Sequence, residues 1–204
     1  LNATNTYNGT TTVSSGMLLV NGDNSAASGA VTVASGASLG GSGIIGGATT
    51  IQSGGFLAPG NSPGILTFEG VLTLATGSFT NMEIAGSTRG TGYDGIDVGG
   101  ALTYGGALTL TSNTLIGVGT YNLFDFTGDN ASESGDFTSI ILSGTAYASN
   151  AFIQNGDVWD AIVDNQTYTF SQLTGNLTVV PEPGTYALIG GLLALAHVML
   201  RRRK

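Results

Sequence analysis

Val33-Ala34-Ser35-Gly36-Ala37-Ser38-Leu39, followed by Ile51-Gln52-Ser53-Gly54-Gly55-Phe56-Leu57, is the stretch that decides the fold. The same pattern, Val/Ile-x-Ser-Gly-x-x-Leu, stands earlier as Val13-Ser14-Ser15-Gly16-Met17-Leu18-Leu19. Its glycines at 16, 36 and 54 lie 20 and 18 residues apart. Fainter echoes occur at Leu74-Ala75-Thr76-Gly77 and Leu102-Thr103-Tyr104-Gly105. A period near 20 points to stacked repeats, each one supersecondary unit unable to bury its apolar side alone. Thr11-Thr12-Val13, Ala30-Val31-Thr32-Val33, Thr49-Thr50-Ile51, Leu72-Thr73-Leu74 and Leu108-Thr109-Leu110 alternate polar or small residues with apolar ones. That period of two puts one face inward and one outward, as in a strand. Ser-Gly, Asn-Gly and Gly-Gly between them supply turns with positive φ.

The expected fold class is therefore all-β, a right-handed parallel β-helix with a β-rich C-terminal cap and one short C-terminal transmembrane helix. An antiparallel sandwich also uses short strands and frequent turns, but does not need one turn sequence at a fixed period. From about Leu115 to Val180 the repeat loosens. Tyr121 to Phe126, Phe137 to Leu142, Ala161-Ile162-Val163 and Leu177 to Val180 still read as strands. A cap is expected there, because an uncapped end exposes strand edges. The expected organisation is a β-solenoid repeat region over 1–114, a cap over 115–180 and a terminal segment over 181–204.

Composition agrees. Glycine makes up 34 of 204 residues and charged residues only 9%, too few for the polar faces of amphipathic helices. Cysteine is absent, which removes disulfides, thiolate metal sites and cysteine nucleophiles. Four of the five Lys and Arg residues are the last four residues, so positions 1–200 set Arg89 alone against 13 acids, a formal charge of −12. Such a body repels nucleic acid. The chain starts at Leu1 rather than Met. A fragment or a processed form is expected, with an N-terminal signal peptide encoded upstream.

The terminal segment has three parts: Pro181-Glu182-Pro183, the apolar run Ala187 to Leu200, and Arg201-Arg202-Arg203-Lys204. The 14-residue run would span about 21 Å as a helix, short of the roughly 30 Å bilayer core. The basic end would stay cytoplasmic, and the two prolines keep the junction extended. A plain membrane anchor is the simpler alternative. The three parts, in this order at the C-terminus, resemble the PEP-CTERM sorting signal. That resemblance implies a Gram-negative host that makes exopolysaccharide, and recognition at the inner membrane by an exosortase thought to cleave nearby. It maps the motif onto Pro181, Glu182 and Pro183 and the basic stop onto Arg201, Arg202, Arg203 and Lys204. Gly184, where the family often has Ser, and His197 within the span depart from the pattern. Residues 9–110, above all Leu57-Ala58-Pro59-Gly60-Asn61-Ser62-Pro63-Gly64, resemble a second family, the autotransporter-associated β-strand repeat. It implies a β-helical passenger region displayed on a bacterial surface, here without its own barrel.

Candidate chemistry is sparse. Gly41-Ser42-Gly43-Ile44-Ile45-Gly46 matches a dinucleotide fingerprint by letter but is followed by a turn and strand where a helix is required. Gly90-Thr91-Gly92-Tyr93-Asp94-Gly95-Ile96-Asp97 is similar to one calcium-binding β-roll nonapeptide, making Asp94 and Asp97 the candidate metal ligands. Such sites need consecutive copies, and Arg89 would oppose a cation. A turn entering the strand Ile96 to Leu102 is the bland account. Asp125, Asp129, Glu133 and Asp136 form an acidic loop without EF-hand spacing. His197, the sole histidine, lies in the tail, so the body holds no Ser-His-Asp triad or histidine zinc site. Asp94 with Asp97, or Asp157 with Asp160, are the carboxylate pairs a glycosidase would need, but Arg89 is the only cation near to bind an acidic sugar. The expected protein is thus non-catalytic and without cofactor: an exported surface or extracellular-matrix protein, processed by an exosortase and associated with exopolysaccharide. The alternative is an adhesin or glycan-binding module using Tyr147, Phe152, Trp159 and Tyr168, aromatics that equally suit a cap core.

Overall fold

The computed structural model describes residues 1–61, 63–126, 132–182 and 184. The chain runs through three strand directions in rotation. The first pass is β1 (Thr11–Val13), β2 (Gly16–Leu19) and β3 (Asp23–Asn24). The second is β4 (Val31–Val33), β5 (Ala37–Gly41) and β6 (Ile44–Ile45). The third is β7 (Thr49–Ile51), β8 (Phe56–Pro59) and β9 (Ile65–Phe68). The fourth is β10 (Leu72–Leu74), β11 (Phe79–Glu83) and β12 (Gly95–Val98). In the fifth, β13 (Ala101–Tyr104) and β14 (Ala107–Thr111) precede β15 (Gly119–Asn122), which joins another sheet, and β16 (Phe124–Phe126). The last pass holds β17 (Ser132–Gly135) and β18 (Ser139–Gly144).

Each strand pairs in parallel with its counterpart one pass later. This gives three sheets, ordered β1-β4-β7-β10-β13-β17, β2-β5-β8-β11-β14-β18 and β3-β6-β9-β12-β16. The register Val13↔Val33 and Val33↔Ile51 repeats the 20- and 18-residue steps of the sequence motif. The fold is all-β, and its parallel sheets are consistent with the expected β-helix. Parallel pairing continues through β18, beyond the point where the turn motif fades. There the pairing continues on strand alternation without the turn motif.

Alternation sorts the side chains as the sequence indicates. In the second sheet Leu18, Leu39, Leu57, Thr80, Leu108 and Ile140 stand in one inward register row. In the first, Thr12, Thr32, Thr50, Thr73 and Thr103 form the matching outward row. Each fully buried aliphatic of the inward rows contributes about 1.5–3 kcal/mol. The motif glycines Gly16, Gly36 and Gly54 take φ of 71°, 79° and 78°, as the Ser-Gly turns require. Other glycines answer a different demand. A Cβ on Gly47 would run into the carbonyl oxygen of Gly29, and one on Gly29 into that of Gly9. Successive passes therefore touch backbone to backbone at this corner. Gly47→Ala is expected to cost about 3 kcal/mol by forcing the passes apart. Gly36→Ala meets open space and costs about 1 kcal/mol for its left-handed φ. Equal denaturant midpoints for the two variants would refute the contact.

Two expected single strands are each split. Ile96 to Leu102 divides into β12 and β13 at Gly99-Gly100, and Tyr121 to Phe126 divides into β15 and β16 at Leu123. In both, the chain turns a corner and each half serves a different sheet; at the second corner the alternation slips, since adjacent Leu123 and Phe124 are both fully buried. Beyond β18, β19 (Tyr147–Ala151) folds back antiparallel on it. Then β20 (Ile153–Asn155), β21 (Val158–Val163), β22 (Gln166–Ser171) and β23 (Asn176–Pro181) build an antiparallel sheet in the order β15-β23-β22-β21-β20. Phe124, Phe137 and Phe170 meet where this sheet packs on the parallel ones.

Candidate functional site

The polypeptide leaves the antiparallel sheet at the terminal motif. β23 lies between β15 and β22, and its Leu177 and Val179 are fully buried. Pro181 is still paired, opposite Gln166, and the Glu182 N–H donates to the Asn165 carbonyl at 2.9 Å. Asn165 belongs to the two-residue turn Asp164-Asn165 of the β21–β22 hairpin, with φ of 50° and 60°. Positive φ at both central positions is the hairpin geometry that Asn and Asp tolerate. Asp-Asn between two alternating segments is a turn signal in the sequence. What it does not reveal is that the turn carbonyl captures Glu182. Pro183, the apolar segment 187–200 and Arg201, Arg202, Arg203 and Lys204 lie outside the described residues. Among the described residues no helix is long and apolar enough to cross a membrane.

The acidic turn is built differently from a calcium loop. Asp94 is only 3% exposed. Its Oδ1 accepts the Gly64 N–H at 2.8 Å and its Oδ2 the Glu83 N–H at 2.7 Å, so it ties the loop before β9 to the end of β11. Asp97 Oδ1 lies 2.7 Å from Arg89 Nη2 as an ion pair. Arg89 Nε also donates to the Asn122 carbonyl at 2.8 Å, clamping one pass to the next. The two carboxylates thus face separate protein partners. Among the described residues no group of three or more acidic, His or Cys side chains could hold a metal ion.

Burial pushes the Asp94 carboxyl up to about 6, against the two N–H donors that favour its charged form, and Glu83 adds to the rise. The folded state then holds a proton that the unfolded chain has lost between about pH 4 and 6. This contribution is complete below that window and is lost as pH rises through it, by about 3 kcal/mol. Denaturant midpoints should fall from pH 4.5 to pH 7, and the Asp94 carboxyl resonance should titrate near pH 6. A midpoint near 4 would refute the burial argument.

The other candidates resolve into packing. Trp159 and Tyr168 are 4% and 0% exposed, and Tyr147 and Phe152 are also buried. This corrects their placement as a glycan-facing set, since a buried ring has no free face to offer. Ile116 N–H donates to the Tyr147 hydroxyl at 2.7 Å, the two tyrosine hydroxyls lie 3.0 Å apart, and Tyr168 donates to Gln166 Oε1 at 2.8 Å. Trp159 Nε1 donates to Gln172 Oε1 at 2.6 Å, while Gln172 Nε2 reaches the Gly135 carbonyl and Asp136. Asp160 accepts from Thr169 at 2.6 Å. Asp129 lies outside the described residues. The exposed aromatic face is elsewhere: Phe56 and Phe79 stack on the outside of the second sheet, with centroids 4.9 Å apart and planes at 18°. Phe79 is 39% exposed.

The end of β23 and the segment beyond it decide the kinship of the terminus. Residues 179–204 match the family model of the PEP-CTERM protein-sorting motif. The chain carries that sorting signal. The PEP-CTERM signal marks an exported protein sorted by an exosortase, and its first residues belong to the last strand of the body. The chain is also similar to the adhesin BmaC autotransporter of Brucella suis biovar 1 (strain 1330), at 36% identity over 135 residues. That similarity covers 63% of this chain and 4% of the relative's length, and is consistent with an autotransporter-associated, passenger-like region. No solved structure matches the chain.

Proposed function

We propose that this chain is a non-catalytic surface or extracellular-matrix protein, delivered and cleaved through its PEP-CTERM signal. The apolar segment 187–200 holds it transiently in the inner membrane, with Arg201 to Lys204 on the cytoplasmic side. An exosortase then cuts near Pro181-Glu182-Pro183 and releases the body to an exopolysaccharide-rich exterior. The body is a right-handed parallel β-helix over 1–114, a β-rich region over 115–180 serves as its cap, and 181–204 is the removable signal. The observation that carries this is the sorting signal joined directly to the last strand of a body in which the candidate acids Asp94 and Asp97 serve as structural clamps. Intact mass of the mature protein from its native host should show loss of the peptide beyond the Pro181–Pro183 region. Lys204 in the mature protein would overturn processing and leave a plain anchor.

A second reading, an adhesin displayed on this scaffold, is favoured by the relative whose name is that of an adhesin. Its contact face would be the exposed Phe56–Phe79 stack, since Trp159 and its neighbours are buried. Glycan-array binding lost in Phe79→Ala with the melting curve unchanged would support it, and no binding by the wild type would remove it.

A further inference from the structure

We infer that the processed bond lies on the C-terminal side of Glu182, so that Pro181 and Glu182 remain on the mature body as the end of its last strand. This rests on the proposal that the chain is processed at all. The bond from the Glu182 N–H to the Asn165 carbonyl makes Pro181 and Gln166 the non-hydrogen-bonded pair of the ladder. The Pro181 nitrogen therefore points to the opposite side. There the neighbouring strand β15 pairs only as far as Gly119 opposite Val179, so the missing N–H leaves no broken ladder bond. A proline that would interrupt an interior strand is thus accommodated at this position. The captured Glu182 then extends the sheet by one more hydrogen bond.

A peptidase acts on chain that has opened, and paired strands resist until they do. A cut before Pro181 would require withdrawing β23 from between β15 and β22, together with buried Leu177 and Val179. A cut beyond Glu182 leaves β23 paired with β15 and β22 along its whole described length. In the hydrolysis, water oxygen adds to the scissile carbonyl carbon and the C–N bond breaks. A proton passes to the leaving amine of the signal peptide, and the body gains a new carboxylate. Pro181 and Glu182 thus have two uses, as part of the recognition motif and as the edge at which the body ends.

The test pairs two measurements. C-terminal peptide mapping of the mature protein from its native host should end at Glu182 or later. Hydrogen exchange on the full chain in detergent should show the Glu182 amide slowed on the order of 100-fold relative to unpaired chain. A mature end at Pro181 or earlier, or exchange of Glu182 at the unpaired rate, would overturn the inference. Retention of Lys204 would overturn the processing reading and this boundary with it, and is recognised by an intact rather than a shortened mass.

Discussion

Replacing Phe124 with alanine should lower the stability of the body by about 3–5 kcal/mol. Phe124 sits in β16, opposite Ile96 of β12, and is fully buried. Its ring stands edge-on to Tyr104 at 5.3 Å and 83°, and meets Phe137 at 6.0 Å and Phe170 at 6.1 Å. Phe170 belongs to the antiparallel sheet and Tyr104 to a parallel one, so the cavity would open between the two kinds of sheet. Such aromatic pairs add about 0.5–1.5 kcal/mol beyond the area they bury. Against a total of about 5–15 kcal/mol for a folded domain, the loss is large enough to unfold a substantial fraction at 37 °C. Phe124→Leu keeps most of the volume and should cost less than about 1.5 kcal/mol. Guanidinium unfolding followed by near-ultraviolet circular dichroism would read both, and a loss under about 1 kcal/mol for alanine would mean that the junction does not hold the sheets together.

Ending the chain after Gly175 should abolish the antiparallel sheet, whereas ending it after Glu182 should leave the body intact. The shorter chain loses β23 and with it Leu177 and Val179, worth about 1.5–3 kcal/mol each. It also strips the backbone partners from β15 and β22 and removes the cross-strand neighbours of buried Tyr168 and Phe170. Unpaired strand edges of this kind seed association between chains. The Gly175-ended chain should therefore aggregate or lose its cooperative melt, and the Glu182-ended chain should melt like the full body. Equal melting of the two would show that the last strand is only an appendage. The same strand thus supports the fold and limits where the sorting signal can be removed.

Much of the fold was legible because each step of the parallel ladder repeats one local rule. Val13, Val33 and Ile51 are in register because the Ser-Gly turns after them have the same geometry, and the threonines between them face outward by alternation alone. The site was less legible. The letters of Gly90 to Asp97 suggest a cation loop. Burial and two backbone donors instead make Asp94 a clamp, and Arg89 neutralises Asp97. The aromatics after Tyr147 could be a binding face or a core by composition, and only their packing shows a core. Pro181 reads as an extended junction outside the cap, yet it ends β23, and its nitrogen faces the open side of a ladder that the sequence does not reveal.

By itself the sequence determined the all-β class, the near-20-residue step, the inward and outward faces and the sorting signal. These depend on residues close along the chain, where turn geometry and alternation are local properties. Tertiary structure alone decided that Gly29 and Gly47 hold successive passes in backbone contact. It also decided that Arg89 binds across to Asn122 and that Asn165 holds Glu182 at the edge of the sheet. Each of these joins residues that are distant in sequence, and only the folded sheets bring them to bonding distance.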